Sequence, residues 1–132
     1  MNTATPMQFS FHDSEVRSCA PQAPTLTTTL AIVFSAAFVQ LADGRIGYLQ
    51  PLRMELCDAV WSGPLAECVG RLSEGRLWDG ALQASALPLP YASAGPVRLE
   101  LRFSNGAQLE ARAQSMVCQP DGDARFVESL AC

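Results

Sequence analysis

The sequence predicts an all-β domain, an antiparallel β-sandwich or partly open barrel of about six to eight strands. One short C-terminal helix is the single exception the pattern allows. Three observations carry this expectation. Apolar residues recur at every second position in several runs, the period of a half-buried strand. Clusters of Gly, Pro, Asn and Asp break these runs at short intervals. The longest apolar run is rich in threonine and β-branched residues, which favour strands over helices. The chain has 132 residues, 48% of them hydrophobic and 17% charged. That suits one domain with its own core and excludes intrinsic disorder. Residues 1–8 carry little pattern and are expected to fray, leaving 9–132 as the folded unit.

The first strand is expected over Phe9–Ser18, where Phe9 and Phe11 lie two apart. Pro21 and Pro24 bracket a connection. A long buried strand then spans Leu26–Val39, with Leu26, Thr28, Leu30, Ile32, Phe34, Ala36 and Phe38 on one face. At fourteen residues this run falls short of the roughly twenty that a membrane helix needs. Its flanks also lack the basic leader of a signal peptide. Asp43-Gly44 marks a turn that Gly47 closes. In Tyr48–Trp61, Leu52, Met54 and Leu56 alternate with Arg53 and Glu55, and Pro51 implies an edge position or a bulge. Ser73-Glu74-Gly75 reads as a hairpin turn between Leu65–Leu72 and Arg76–Ala84. Pro88 and Pro90 mark an extended connection outside any central sheet.

The strongest local signal is the run from Val97 to Val117. Val97, Leu99, Leu101 and Phe103 alternate with Arg98, Glu100 and Arg102. A two-residue Asn105-Gly106 turn would set Leu101 against Glu110. A three-residue loop, Ser104-Asn105-Gly106, sets Leu101 against Leu109, Leu99 against Ala111 and Val97 against Ala113. It also puts Gly106 at the left-handed position of a type I turn with a G1 bulge. Matching the apolar faces selects the longer loop. Glu100 then faces Glu110 and Arg98 faces Arg112, with diagonal pairs such as Arg102 and Glu110 as the offset. After Pro120-Asp121-Gly122, Asp123 can cap a short helix, or a last strand follows.

Composition removes several chemistries. All nine basic residues are arginine, so Schiff-base catalysis, a Walker-type phosphate loop and a lysine base are absent. The net charge is −4 and the pI about 4.8. This disfavours nucleic acid and anionic membranes and favours steering of a basic protein. Cys19, Cys57, Cys68, Cys118 and Cys132 form no CxxC pair, and with one histidine no zinc-ligand spacing arises. The unspaced thiols fit a reducing cytoplasm. No metal and no cofactor is expected.

His12-Asp13-Ser14 contains the residue types of a hydrolase triad, but consecutive extended residues point to opposite faces and cannot relay a proton. A local turn, with Asp13 or Ser14 bonding nearby backbone N–H groups and His12 in a structural role, is the simpler account. Glu100 and Glu110 fall on a solvated sheet face rather than across a glycosidase cleft. Asn105 and Gly106 are structural turn residues.

Phe11-His12-Asp13-Ser14 followed by a long strand, together with Phe103-Ser104-Asn105-Gly106, resembles small bacterial all-β proteins with an N-terminal "HDS" box and a later F-x-N-G turn. Some of these families are candidate immunity proteins of polymorphic toxin systems. The resemblance covers a minority of the chain, and Tyr48–Pro90 has no counterpart in it. It implies a non-enzymatic protein that docks on a toxin encoded next to it and occludes the toxin's active site. The hairpin's polar face, Arg98, Glu100, Arg102, Glu110 and Arg112, and the Asp43-Gly44-Arg45 loop are the candidate partner-binding surfaces. Two other classes stand beside it: a barrel holding a small apolar ligand near Trp61, Trp78 and Met54, and a homodimer or larger homo-oligomer paired through a strand edge.

Overall fold

The computed structural model describes residues 7–22 and 28–129. Within them the chain forms eleven strands: β1 Met7–Gln22, β2 Thr29–Leu41, β3 Ile46–Cys57, β4 Val60–Ser62, β5 Gly70–Asp79, β6 Leu82–Ala84, β7 Ala86–Leu89, β8 Tyr91–Ser93, β9 Val97–Phe103, β10 Gln108–Ala113 and β11 Ser115–Glu128. The one helical element among the described residues is a 3-10 turn at Leu65–Glu67. All pairings are antiparallel, and the strands follow the order β4-β10-β9-β5-β1-β2-β3-β11-β8, with β6 beside β5 and β7 beside β1. The path has two free ends, so the sheet is not closed.

The all-β expectation holds; the strand count and the C-terminal helix need correction. The extra strands are short ones: β4, split from the expected Tyr48–Trp61 strand at Asp58-Ala59, and β6, β7 and β8, drawn from the segment after Gly80. Because β7 and β8 lie off the path or at its end, Pro88 and Pro90 stay out of the sheet centre as expected. The chain after Pro120 is the second half of β11. Arg125–Glu128 pairs with Gln50–Gly47 after a register break that spans 121–124. Tertiary pairing to β3 overrides the weak helical pattern there. Met7 and Gln8 pair with Leu41 and Gln40 in the ladder, so the fold begins before Phe9. Residues 1–6, and Pro24, Leu26 and Thr27, lie outside the described residues.

Both sides of the path feed one apolar core. Phe9, Phe11 and Phe34 are fully buried, with edge-to-face ring contacts at about 5 Å centred on Phe9. The predicted β2 face is buried through Leu30, Ile32 and Phe34, then changes phase to Ala37, Val39 and Leu41. The cause is one extra β2 residue, Ser35, where Glu15 pairs Ala36 and Val16 pairs Phe34. Pro51 lies in β3, which β2 and β11 flank, so the edge alternative fails. The bulge alternative holds, since the β2 ladder skips from Leu52 to Leu49 across Pro51 and the β11 ladder breaks beside it.

Two glycine assignments change. Ser73-Glu74-Gly75 is not a turn: β5 continues through it, with one extra residue, Ser73, bulged against β9. A Cβ on Gly75 would sit 2.6 Å from Phe11 Cβ, so this residue allows close strand approach rather than reversal. Gly47 lies within β3 opposite Val39 and Glu128. The β9–β10 hairpin matches its predicted register pair for pair, from Leu101 opposite Leu109 to Val97 opposite Ala113. Gly106 sits at φ 93°, its N–H bonded to Phe103 O at 3.0 Å.

A polar clasp joins the far end of the path to β5. The Tyr91 hydroxyl donates to Asp79 Oδ2, and Ser93 Oγ donates to Asp79 Oδ1 at 2.9 Å. Burial first, and then the Asp79 carboxylate, push the Tyr91 hydroxyl up to about 12, so it remains a donor at ordinary pH. Removing the shared acceptor with Asp79→Ala is expected to lower stability by about 2 kcal/mol, read as a lower urea midpoint with an unchanged slope.

Candidate interaction face

The outer surface of β4, β10, β9 and β5 carries the predicted recognition residues. Antiparallel register sets them in rows. Val60, Arg112, Arg98 and Trp78 form one row, and Ser62, Glu110, Glu100 and Arg76 the next. Gln108, Arg102 and Glu74 form the third. Inward positions between them are the buried Leu99, Leu101, Leu109 and Ala111. The alternation that builds the core therefore also builds the face.

Arg98 organises this surface. Its guanidinium bonds the Glu100 carboxylate, reaches Glu110 at 3.0 Å, and lies 4.7 Å above the Trp78 ring. One cation thus offsets the two glutamates that the register forces together, and a cation–π contact fixes its place. The predicted offset between Arg102 and Glu110 is replaced by this arrangement. Arg102 instead pairs with Glu74 on β5 at 3.2 Å. The Arg98 Nε–H is buried without a hydrogen-bond partner among the described residues. Among those residues neither Arg76 nor Arg112 makes an ion pair. With four arginines against three glutamates, the face is mixed in charge rather than acidic. A notch of about 200 Å3 runs between β5 and β9, lined by Glu74, Arg76, Trp78, Glu100 and Arg102.

The hydrogen bond from Arg98, and then its charge, hold the Glu110 carboxyl below the ordinary glutamate range. A depressed folded-state pKa contributes stability that is present above the unfolded value and lost as pH falls through the folded one. Wild-type stability is therefore expected to drop more steeply below about pH 5 than that of Glu110→Gln, as measured by chemical denaturation at stepped pH.

The other predicted positions separate from this face. Trp61 stands opposite Ala111 and packs against the core, Met54 is fully buried, and Trp78 lies on the outer side. Met54 and Trp61 thus lie toward the core and Trp78 on the opposite side of the sheet. The Asp43-Gly44-Arg45 loop is closed on itself. Asp43 accepts from Arg45 N–H at 3.0 Å and from Arg45 Nε at 2.9 Å, and Arg45 also covers the Phe126 ring at 5.7 Å.

His12-Asp13-Ser14 forms an irregularity where β1 advances five positions, from Ser10 to Glu15, against two of β2. Asp13 takes φ 68°, so the three residues are not uniformly extended. Ser14 is fully buried; its hydroxyl donates to Ser10 O at 2.7 Å and accepts from Phe38 N–H at 2.8 Å. Both of its hydrogen-bonding roles are taken by backbone, but the N–H it serves belongs to Phe38 on β2 and its nearby bond goes to a carbonyl. The expected bond to a nearby N–H is thus replaced by a link between strands. His12 is exposed, with Nδ1 3.3 Å from Asp13, which Arg71 holds at 2.8 Å. Asn105 accepts from Ala107 N–H at 2.8 Å and donates to Glu67 O at 2.9 Å, tying the hairpin loop to the 3-10 turn.

Sequence reasoning missed Glu74, Arg76 and Trp78 as members of the face. Their signal was the alternation of Glu74, Arg76 and Trp78 with Gly75 and Leu77, masked by the turn-like composition at Ser73–Gly75. Among the described residues no group of three or more His, Cys, Asp or Glu side chains clusters as metal ligands, and no helix is long and apolar enough to cross a membrane. No family model matches the chain, and neither a curated protein nor a solved structure shows significant similarity to it.

Proposed function

We propose that the protein is a non-enzymatic, cytoplasmic protein-binding module that docks through the outer face of β5, β9 and β10. The observation that carries this is Arg98, held over Trp78 by Glu100 and Glu110, beside two arginines without ion-pair partners. Trp and Arg are the residues most enriched among interface positions that dominate affinity. A guanidinium already fixed in place loses little side-chain entropy on docking. Arg76, Arg102 and Arg112 suit a partner presenting carboxylates, which the guanidinium fork can grip in bidentate fashion. The chain's net negative charge resides elsewhere and acts at long range on the approach of a basic partner.

The resemblance to immunity proteins makes a toxin encoded next to this gene the first partner to test, with occlusion of its active site as the mechanism. The test is co-expression with the neighbouring gene's product, followed by calorimetric titration. Neutralisation and a tight complex are expected. Trp78→Ala and Arg112→Glu should each weaken binding by about 30-fold or more, with circular dichroism unchanged. Gln119→Arg, on an exposed β11 position, should leave affinity as it is. A neighbouring product that is harmless or unbound overturns the toxin reading. A complex indifferent to both face variants overturns the assignment of the face.

A further inference from the structure

We infer that Cys19 and Cys68 are a dithiol pair that closes to an intramolecular disulfide when the protein meets a disulfide oxidant. Three observations of the structure converge on them. First, β1 pairs β5 at Glu15 with Arg71 and Val16 with Gly70. From the end of that ladder three β1 residues lead on to Cys19, and two residues before Gly70 stands Cys68, which caps the 3-10 turn. Second, the one extra β1 residue at Arg17 that the β1–β2 ladder shows sets Cys19 on the core side with Val16, and Cys68 is fully buried on that side too. Third, Cys19 Sγ lies 3.4 Å from the Cys68 carbonyl oxygen. Cys68 Sγ itself faces Gln108 O at 4.0 Å, so bridging turns that side chain toward Cys19 by a change of rotamer.

The two thiols also differ from the remaining described cysteines in environment. The Cys19 thiol is pushed up to about 12, chiefly by burial and then by the neighbouring Cys68. Cys118 is more deeply buried, and burial alone raises its thiol, with no second cysteine beside it. A raised thiol is a poor nucleophile at neutral pH because little thiolate is present. The pair is therefore stable as a dithiol in a reducing compartment and closes under alkaline or strongly oxidising conditions. The chemistry balances with oxidised glutathione as the oxidant. One cysteine thiolate attacks the glutathione disulfide and expels a glutathione thiolate. The second cysteine thiolate then attacks the protein sulfur of the mixed disulfide and expels the other. The protein loses two electrons and two protons, and two glutathione thiols are formed.

Such a bridge ties the segment between the 3-10 turn and β5 to β1 and encloses the 49-residue separation that contains β2, β3 and β4. A loop of that length is expected to raise the melting temperature by roughly 10 °C. The test incubates the full chain, and the variants Cys19→Ser, Cys68→Ser and Cys57→Ser, with oxidised glutathione at alkaline pH, followed by peptide mapping without reduction. Wild type and Cys57→Ser should each lose two hydrogens in mass and yield the Cys19–Cys68 linked peptide. Fragment ions must place the bridge on Cys68, because Cys57 shares its arginine-bounded peptide. The wild-type readout alone decides the matter if a serine variant fails to fold. Glutathione adducts without a link, a bridge through Cys57 or Cys118, or no reaction would each overturn the proposal.

Discussion

Gly75→Ala is expected to destabilise the fold by about 3 kcal/mol, at the upper end for one added methyl group in a packed interior. The new Cβ would meet Phe11 Cβ at 2.6 Å, Phe11 Cγ at 2.7 Å and a Leu101 methyl at 3.0 Å. The first of these is held by the β1 backbone rather than by a mobile side-chain end, so β5 and β1 must part. The sign is informative, because replacing glycine within a strand normally helps: alanine has less freedom to lose on folding. Gly95→Ala is the matched control, since nothing lies within 4 Å of its added Cβ and its φ is ordinary. Urea denaturation of the two variants should give a large loss for the first and a change within about 0.5 kcal/mol for the second. Equal, small effects would show that β5 does not press on Phe11. The consequence reaches function, because Glu74 and Arg76 flank Gly75 on the proposed docking face.

Ser14→Ala is expected to cost about 3 kcal/mol despite removing a single oxygen. The hydroxyl serves two backbone groups, accepting from Phe38 N–H and donating to Ser10 O. Its loss leaves both short of a partner in a fully enclosed site, at about 1–3 kcal/mol for each group left unsatisfied. Denaturation would register the loss, and hydrogen exchange would locate it as faster exchange at the Phe38 amide. A catalytic role for Ser14 predicts the opposite pattern, an unchanged fold. A variant as stable as wild type, with Phe38 still protected, would remove Ser14 from the account of how β1 and β2 hold register.

What could be read from the sequence divides along physical lines. The β9–β10 register was legible because apolar faces and loop geometry there are both local and agree. That Ser14 bonds main chain was legible from its short polar side chain, but the N–H it serves, Phe38 on β2, lies twenty-four positions away and was not. The phase of β2 was legible only as far as Phe34, because the extra residue Ser35 answers irregularities in β1 that no period in β2 encodes. β5 was misread because Ser73-Glu74-Gly75 has turn composition, whereas Gly75 answers to Phe11, sixty-four positions away in sequence. That error hid a third of the docking face. It also misassigned the charge balance, since the partner of Arg102 is Glu74 on the unrecognised strand rather than Glu110. Arg98 was identified as a candidate, but its stacking on Trp78 depends on which strand lies beside β9.

The central place of β1 in the path bears on how the chain comes off the ribosome. β1, β2 and β3 are consecutive and can pair as soon as they are made. Among the described residues the other edge of β1 is covered by β5 and β7, which are synthesised tens of residues later. Until then a growing chain displays an unpaired strand edge with Phe9 and Phe11 beside it, the kind of template that recruits other chains. Pairings over such separations also slow folding. The stage most exposed to misassembly is thus the interval between completion of β3 and arrival of β7, when the nascent chain depends on chaperones or on dilution.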